Sequence, residues 1–188
     1  GELLDLMRRA KCFGINLAKI DVRQESSRHS QLLTEFIKRT SNSNYQAWDE
    51  NKKIKFLSDA MKKNKKNFKN FIFKNKENNE VWSTFRILAE EPSECLGAYV
   101  ISMTSAASDI LAVYLMQKEA NIENKLRVVP LFETLQDLKN AKLIMEKLFS
   151  LGWYRKLIHN QQEIMIGYSD SSKDAGKLSA SWHQSKLQ

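Results

Sequence analysis

Cysteine is scarce: the 188 residues hold two, Cys12 and Cys95. Neither their number nor their spacing suits a disulfide framework or a zinc site, so both thiols are expected as core filler in a reducing compartment. No apolar run approaches the roughly 20 residues that a membrane span needs. The opening GELLDLMRRAK lacks the apolar stretch of a secretory signal, and a soluble, cytoplasmic chain is expected. Gly/Ser linkers and internal repeats are missing too, which argues for one domain. What is present supports that view, because 42% hydrophobic residues suffice for a packed core of ordinary size.

A formal charge of +8 ordinarily suggests an acidic partner, but here it is local. Ten lysines and a single acidic residue, Asp59, lie between Lys52 and Lys76, whereas the rest of the chain balances 20 basic against 21 acidic residues. Phe56, Phe68, Phe71 and Phe73 interleave with those lysines. Rings beside cations can stack on bases while lysines follow phosphates, so a nucleic-acid-binding module is an alternative function. A solvated lysine face is the plainer reading, and no recognised nucleic-acid motif accompanies the run. A purely structural or assembly role is a third.

Four runs rich in Ile, Val and Leu read as buried strands, at residues 15–22, 98–103, 126–132 and 164–168. Each is followed by polar residues and then by helical periodicity. Leu32, Leu33, Phe36 and Ile37 share one helical face, as do Leu138, Ala141, Met145 and Leu148. The segment 108–118 is apolar on most sides and reads as a helix covered on several faces. Strands alternating with helices imply parallel pairing through right-handed crossovers. The stretch 24–97 is too long for one crossover, so it must carry extra helices, at 49–63 (Ile54, Leu57, Met61) and 78–89 (Val81, Phe85, Leu88). Between them, 64–79 is expected to be exposed or mobile. Pro130 counts against an uninterrupted central strand unless a barrel rim or bulge accommodates it.

Two carboxylates take equivalent places in successive strand-helix units. Glu133 follows the run ending at Phe132, and Asp170 follows the run ending at Tyr168. Each precedes a Ser/Thr-x-x-Asp helix start, Thr134 to Asp137 and Ser171 to Asp174. Both therefore belong at strand C-terminal ends, where parallel α/β folds build sites. Adjacent strands lie about 5 Å apart, so the pair can share a hard cation such as Mg²⁺ or Mn²⁺. An ordinary pair of helix caps explains the same pattern. Arg23 closes the first run, where its guanidinium can face a phosphate or carboxylate, or pair with Asp21 or Glu25. Lys173, one short turn beyond Asp170, is either a second anion contact or a solvated lysine.

RVVPLFETL (residues 127–135) and IGYSDSSKDAG (166–176) resemble two signature segments of the phosphoenolpyruvate carboxylases, and KIDVRQESSRH (19–29) is similar to a third. YVISMTSAASDILAV (99–113) is similar to the segment the family carries between them, with a more alanine-rich loop. Order and separation match as well, and the likeness covers nearly the whole chain, thinnest over the lysine-rich insert. The resemblance implies a helix-rich α/β fold, a partial TIM-type (β/α) barrel with about four parallel strands and a lysine-rich helical insertion at about 49–91. It implies a carbon–carbon lyase that joins bicarbonate to phosphoenolpyruvate, giving oxaloacetate and phosphate with Mg²⁺ or Mn²⁺. The parent would be a cytoplasmic homotetramer under metabolite control. By position, Glu133 and Asp170 match the family's metal ligands, Arg23 an arginine near bound phosphoenolpyruvate, and Lys173 a lysine associated with bicarbonate and catalysis. In the implied mechanism bicarbonate attacks phosphorus to form carboxyphosphate and an enolate, which captures the released carbon dioxide.

The family's TAHPTE-type histidine segment and its FHGRGG loop have no counterpart here, and the chain reads as an internal fragment. None of His29, His159 or His183 lies in a matching context, and each is expected to be a surface or core hydrogen-bonding residue. Alone, the fragment is expected to be inactive and, with two open sheet edges, to self-associate.

Overall fold

The structure is a computed structural model that describes residues 1–14, 18–63, 68 and 71–187. Strands β1 (Ile20–Glu25), β2 (Leu96–Ser102), β3 (Arg127–Phe132) and β4 (Met165–Ile166) form one sheet in the order β1-β2-β3-β4, every neighbouring pair parallel. This is a helix-rich α/β fold with four parallel strands, consistent with part of a β/α barrel. Tyr99, Ile101, Val128 and Phe132 face the main core, while Ala98, Val100, Val129 and Leu131 form a second cluster, as two-residue alternation requires. Burial on both faces is what a parallel sheet under helices shows. Pro130 stands in an interior strand yet costs little ladder. Its partner Ile101 is the last of the β2–β3 register, and Leu131 opposite Met165 is the first of β3–β4, so the missing N–H falls where one ladder hands over to the next.

The helices are α1 (Glu2–Phe13), α2 (Ser26–Ser41), α3 (Glu50–Lys62), α4 (Lys76–Glu90), α5 (Ala107–Glu119), α6 (Leu135–Phe149), α7 (Gly152–Leu157), α8 (Tyr168–Ala175) and α9 (Lys177–Leu187). The expected apolar stripes of α2 and α6 are buried, and α5 is buried nearly all round. Asp49 accepts the Lys52 N–H and Asn75 those of Glu77 and Asn78, so α3 and α4 both start at side-chain caps.

Several expectations need correction. The first strand runs over Ile20–Glu25 rather than 15–22, of which residues 15–17 lie outside those described. The fourth run yields only Met165–Ile166, because α8 begins at Tyr168. Ser171 is accordingly inside α8, donating back to the Gly167 carbonyl at 2.6 Å, and does not open that helix. Cys12 is exposed and Cys95 half-buried, so neither fills the core. Part of 64–79 also lies outside the described residues, but Phe68 and Phe73 are buried, Phe56 and Phe71 pack partly buried against the core, and α4 already starts at Lys76. Phe68, Phe71 and Phe73 therefore pack toward the core, as does Phe56 of α3.

Candidate functional site

Glu133 is the first residue past β3, and its backbone is fixed from the start of α6. Thr134 accepts the Asp137 N–H at 3.1 Å, and the Asp137 carboxylate takes the N–H groups of Thr134 at 3.0 Å and Glu133 at 3.3 Å. This reciprocal cap uses Asp137 on the backbone and leaves the Glu133 carboxylate pointing elsewhere. The next strand end comes close. Gly167 donates its N–H to the Phe132 carbonyl at 2.9 Å, and a Cβ on Gly167 would lie 2.6 Å from that of Glu133. Only glycine lets the two chains approach so nearly. Asp170 then follows in the first turn of α8, exposed, with Lys173 at 3.6 Å.

The electrostatics of Glu133 record what surrounds it. Burial is the largest influence and raises its pKa; the charges of Asp170 and Asp137 raise it further, while a hydrogen bond from the Met103 N–H and the charge of Arg23 act the other way. The net shift is upward. Residues from all four strand units thus act on one carboxylate: Met103 just past β2, Glu133 past β3, Asp170 past β4, and Arg23, which lies within β1 two residues before its end and does not close that strand as expected. Arg23 is exposed on the edge strand, opposite Val100. Its two local candidates for pairing are engaged otherwise, Asp21 with the Ala98 N–H at 2.7 Å and Glu25 with the Ser27 hydroxyl at 2.6 Å. Among the described residues no group of three or more His, Cys, Asp or Glu side chains is gathered for a metal ion.

Met103 was not singled out in the sequence. It adopts φ 53°, a left-handed conformation rare for a side chain of its size, and its carbonyl accepts the Ser26 hydroxyl at 2.7 Å. No composition signal marks such a residue. Gly167 did carry one, a glycine between an apolar run and a polar helix start. Of the histidines, His29 is fully buried beside Tyr99, and His159 is exposed with φ 51°. None adjoins Glu133 in the contacts described.

A family model described as phosphoenolpyruvate carboxylase matches residues 1–188. The chain is 46% identical over 188 residues to the phosphoenolpyruvate carboxylase of Flaveria pringlei, covering all of this chain and 19% of that protein. It is 45% identical to that of Photorhabdus laumondii subsp. laumondii, with 100% and 21% covered, and 46% identical to that of Acinetobacter baylyi, with 100% and 22% covered. The chain spans about a fifth of the length of these curated relatives. A plant protein and two bacterial ones agree with the family model along every part of the sequence, insert included, and the chain belongs to the phosphoenolpyruvate carboxylase family.

Proposed function

We propose that this chain supplies the metal-binding rim of a phosphoenolpyruvate carboxylase, with Glu133 and Asp170 as metal ligands, Arg23 on phosphoenolpyruvate and Lys173 toward bicarbonate. The reaction is the joining of bicarbonate and phosphoenolpyruvate to give oxaloacetate and phosphate. The observation that carries this reading is that Glu133 and Asp170 follow the ends of adjacent parallel strands while the charge of Arg23, from within β1, acts on the same Glu133 carboxylate.

The donor set fits Mg²⁺ or Mn²⁺. Both ligands are hard oxygen donors, and Mg²⁺ commonly takes one or two carboxylates and completes its shell with water and substrate oxygens, so a third protein ligand is not required. A cation would also relieve the disfavoured negative charge at Glu133, which burial and two neighbouring carboxylates oppose and one arginine only partly offsets. When bound, the cation supplies Lewis-acid polarisation of substrate oxygens. The Asp137 carboxylate holds the backbone at Glu133, and the Met103 N–H favours the charged form of the Glu133 side chain. Arg23 offers a planar fork to the phosphate or carboxylate of phosphoenolpyruvate. Lys173 pairs loosely with Asp170 at 3.6 Å, both well exposed, so its ammonium can turn to an incoming anion. These are fixed charges placed where anionic charge develops.

The test is Mn²⁺ binding and oxaloacetate formation by the full-length enzyme containing this chain, alongside Glu133→Gln and Asp170→Asn. Each substitution is expected to weaken Mn²⁺ binding by at least about tenfold and carboxylation by about 100-fold or more. Wild-type Mn²⁺ affinity in both variants would sink the assignment of these ligands.

A further inference from the structure

Helix α8 carries both Asp170 and Lys173, and two hydrogen bonds fasten it to the β3–α6 turn. At its N-terminal end the Gly167 N–H meets the Phe132 carbonyl at 2.9 Å. Towards its C-terminal end the Asp174 carboxylate accepts the Leu135 N–H at 2.8 Å. On the turn, the tether points Phe132 and Leu135 bracket Glu133; on the helix, Gly167 and Asp174 bracket Asp170. Leu135 is the first residue of α6, whose N–H has no partner within its own helix. A carboxylate at a helix start is favoured there by the dipole as well. Asp174 thus caps a helix other than its own. The sequence pattern had placed it in a cap at Ser171, which lies within α8.

We propose that Asp174 is a positioning residue whose hydrogen bond to the Leu135 amide closes the second of two tethers between α8 and the β3–α6 turn, and thereby sets the separation of Glu133 and Asp170. The proposal rests on those two carboxylates being the metal ligands. Asp174 is exposed, so water can replace the lost acceptor and the fold survives its removal, while the two carboxylates lose their fixed spacing. Groups that hold ligands in place typically matter about 10- to 100-fold in metal affinity.

The experiment measures Mn²⁺ dissociation constants by electron paramagnetic resonance in the full-length enzyme, with steady-state kinetics beside it. Asp174→Ala is expected to raise the Kd for Mn²⁺ by about 10- to 100-fold, with the KM for metal rising more than kcat falls. Asp174→Asn keeps an acceptor oxygen and is expected to stay within about threefold of wild type, a neutral acceptor being somewhat weaker than a charged one. Leu135→Pro deletes the donor at a helix position that suits proline, after a residue, Thr134, that is already extended at ψ 162°. It should weaken Mn²⁺ as Asp174→Ala does, and the double variant should be no worse than either alone. Wild-type Mn²⁺ affinity in Asp174→Ala, with Glu133→Gln impaired, would overturn this inference alone. An Asp174→Asn as impaired as Asp174→Ala would overturn it also, because charge rather than the tether would then be at stake. Equal binding by wild type and Glu133→Gln would overturn the metal reading and this inference with it.

Discussion

The His29 imidazole is fully buried, edge-on to Phe85, with Nε2 2.8 Å from the Tyr99 hydroxyl and Nδ1 without a hydrogen-bond partner among the described residues. Burial strips the charged form of its hydration and lowers its pKa from 6.5 to about 3. The folded value lies below the unfolded one, so stability is complete above about pH 6.5, and as pH falls below it the unfolded chain takes up a proton that the folded one refuses. The loss approaches about 1.4 kcal/mol per pH unit and continues towards the folded pKa. Hydrogen-exchange protection of the β2 amides, corrected for intrinsic exchange, should therefore fall from pH 7 to 5, and fall less in His29→Gln. Parallel curves for the two proteins would remove His29 as the cause. At this same scale the sequence was informative where chemistry and position coincide. Glu133, Asp170, Arg23 and Lys173 stood out as charged residues at the ends of apolar runs. Met103 did not, because its contribution is a backbone N–H in a left-handed turn, and backbone groups leave no mark on residue identity.

Between α3 and α4, Phe68 and the residues leading into α4 are fastened by their neighbours. Glu119 of α5 accepts the Phe68 N–H at 3.0 Å, and Glu35 of α2 takes the N–H groups of Lys74 and Asn75 and the Asn78 amide at 2.6, 3.3 and 2.8 Å. Lys118 closes the end of α3, its ammonium donating to the carbonyls of Ala60 at 2.6 Å, Met61 at 2.9 Å and Lys63. A cation on terminal carbonyls satisfies acceptors the helix cannot and opposes its dipole. Lys118→Met keeps the apolar stem and removes every donor; a cost of about 1–3 kcal/mol is expected. Exchange in the last turn of α3 should quicken about 5- to 150-fold while α2 is unchanged, at about 1.4 kcal/mol per factor of ten. Unchanged exchange in that turn would show the clamp to be idle. Legibility at the element scale follows caps and stripes. The starts of α3 and α6 were read within a residue because Asp49 and Thr134 cap them, and α5 was found by its apolar content. By contrast α1, α7 and α8 begin without a side-chain cap hydrogen bond; the first two were not anticipated, and α8 was placed three residues late. Nothing in α1 is buried, so its apolar residues had no partner pattern in the rest of the chain to corroborate them.

Taken as one molecule, the chain has a sheet with two open flanks. Among the described residues, strand β1 pairs only with β2, and β4 only with β3. Both flanks are parallel edges with unpaired backbone groups, the kind that templates pairing with another chain. Apolar side chains add to this: Leu3 on α1 is 72% exposed and Leu178 on α9 is 87% exposed, with Leu6, Met7 and Trp182 also largely bare. Among relatives this stretch makes up about a fifth of a longer polypeptide. Two consequences are expected for the 188-residue chain prepared by itself. It should form no oxaloacetate, since the rim described here brings together one arginine and two carboxylates and a carboxylation needs further groups around the phosphate; measurable turnover would contradict this. It should also self-associate, its sedimentation coefficient rising with concentration. Salt then separates the causes. Raised ionic strength screens the mutual repulsion of the lysine run and leaves burial of Leu3, Leu178 and the strand edges undiminished, so association should strengthen with salt. Association that weakens with salt would place the contact in charge pairs instead, and a sharp monomer at high concentration would mean that the edges are covered from within the chain.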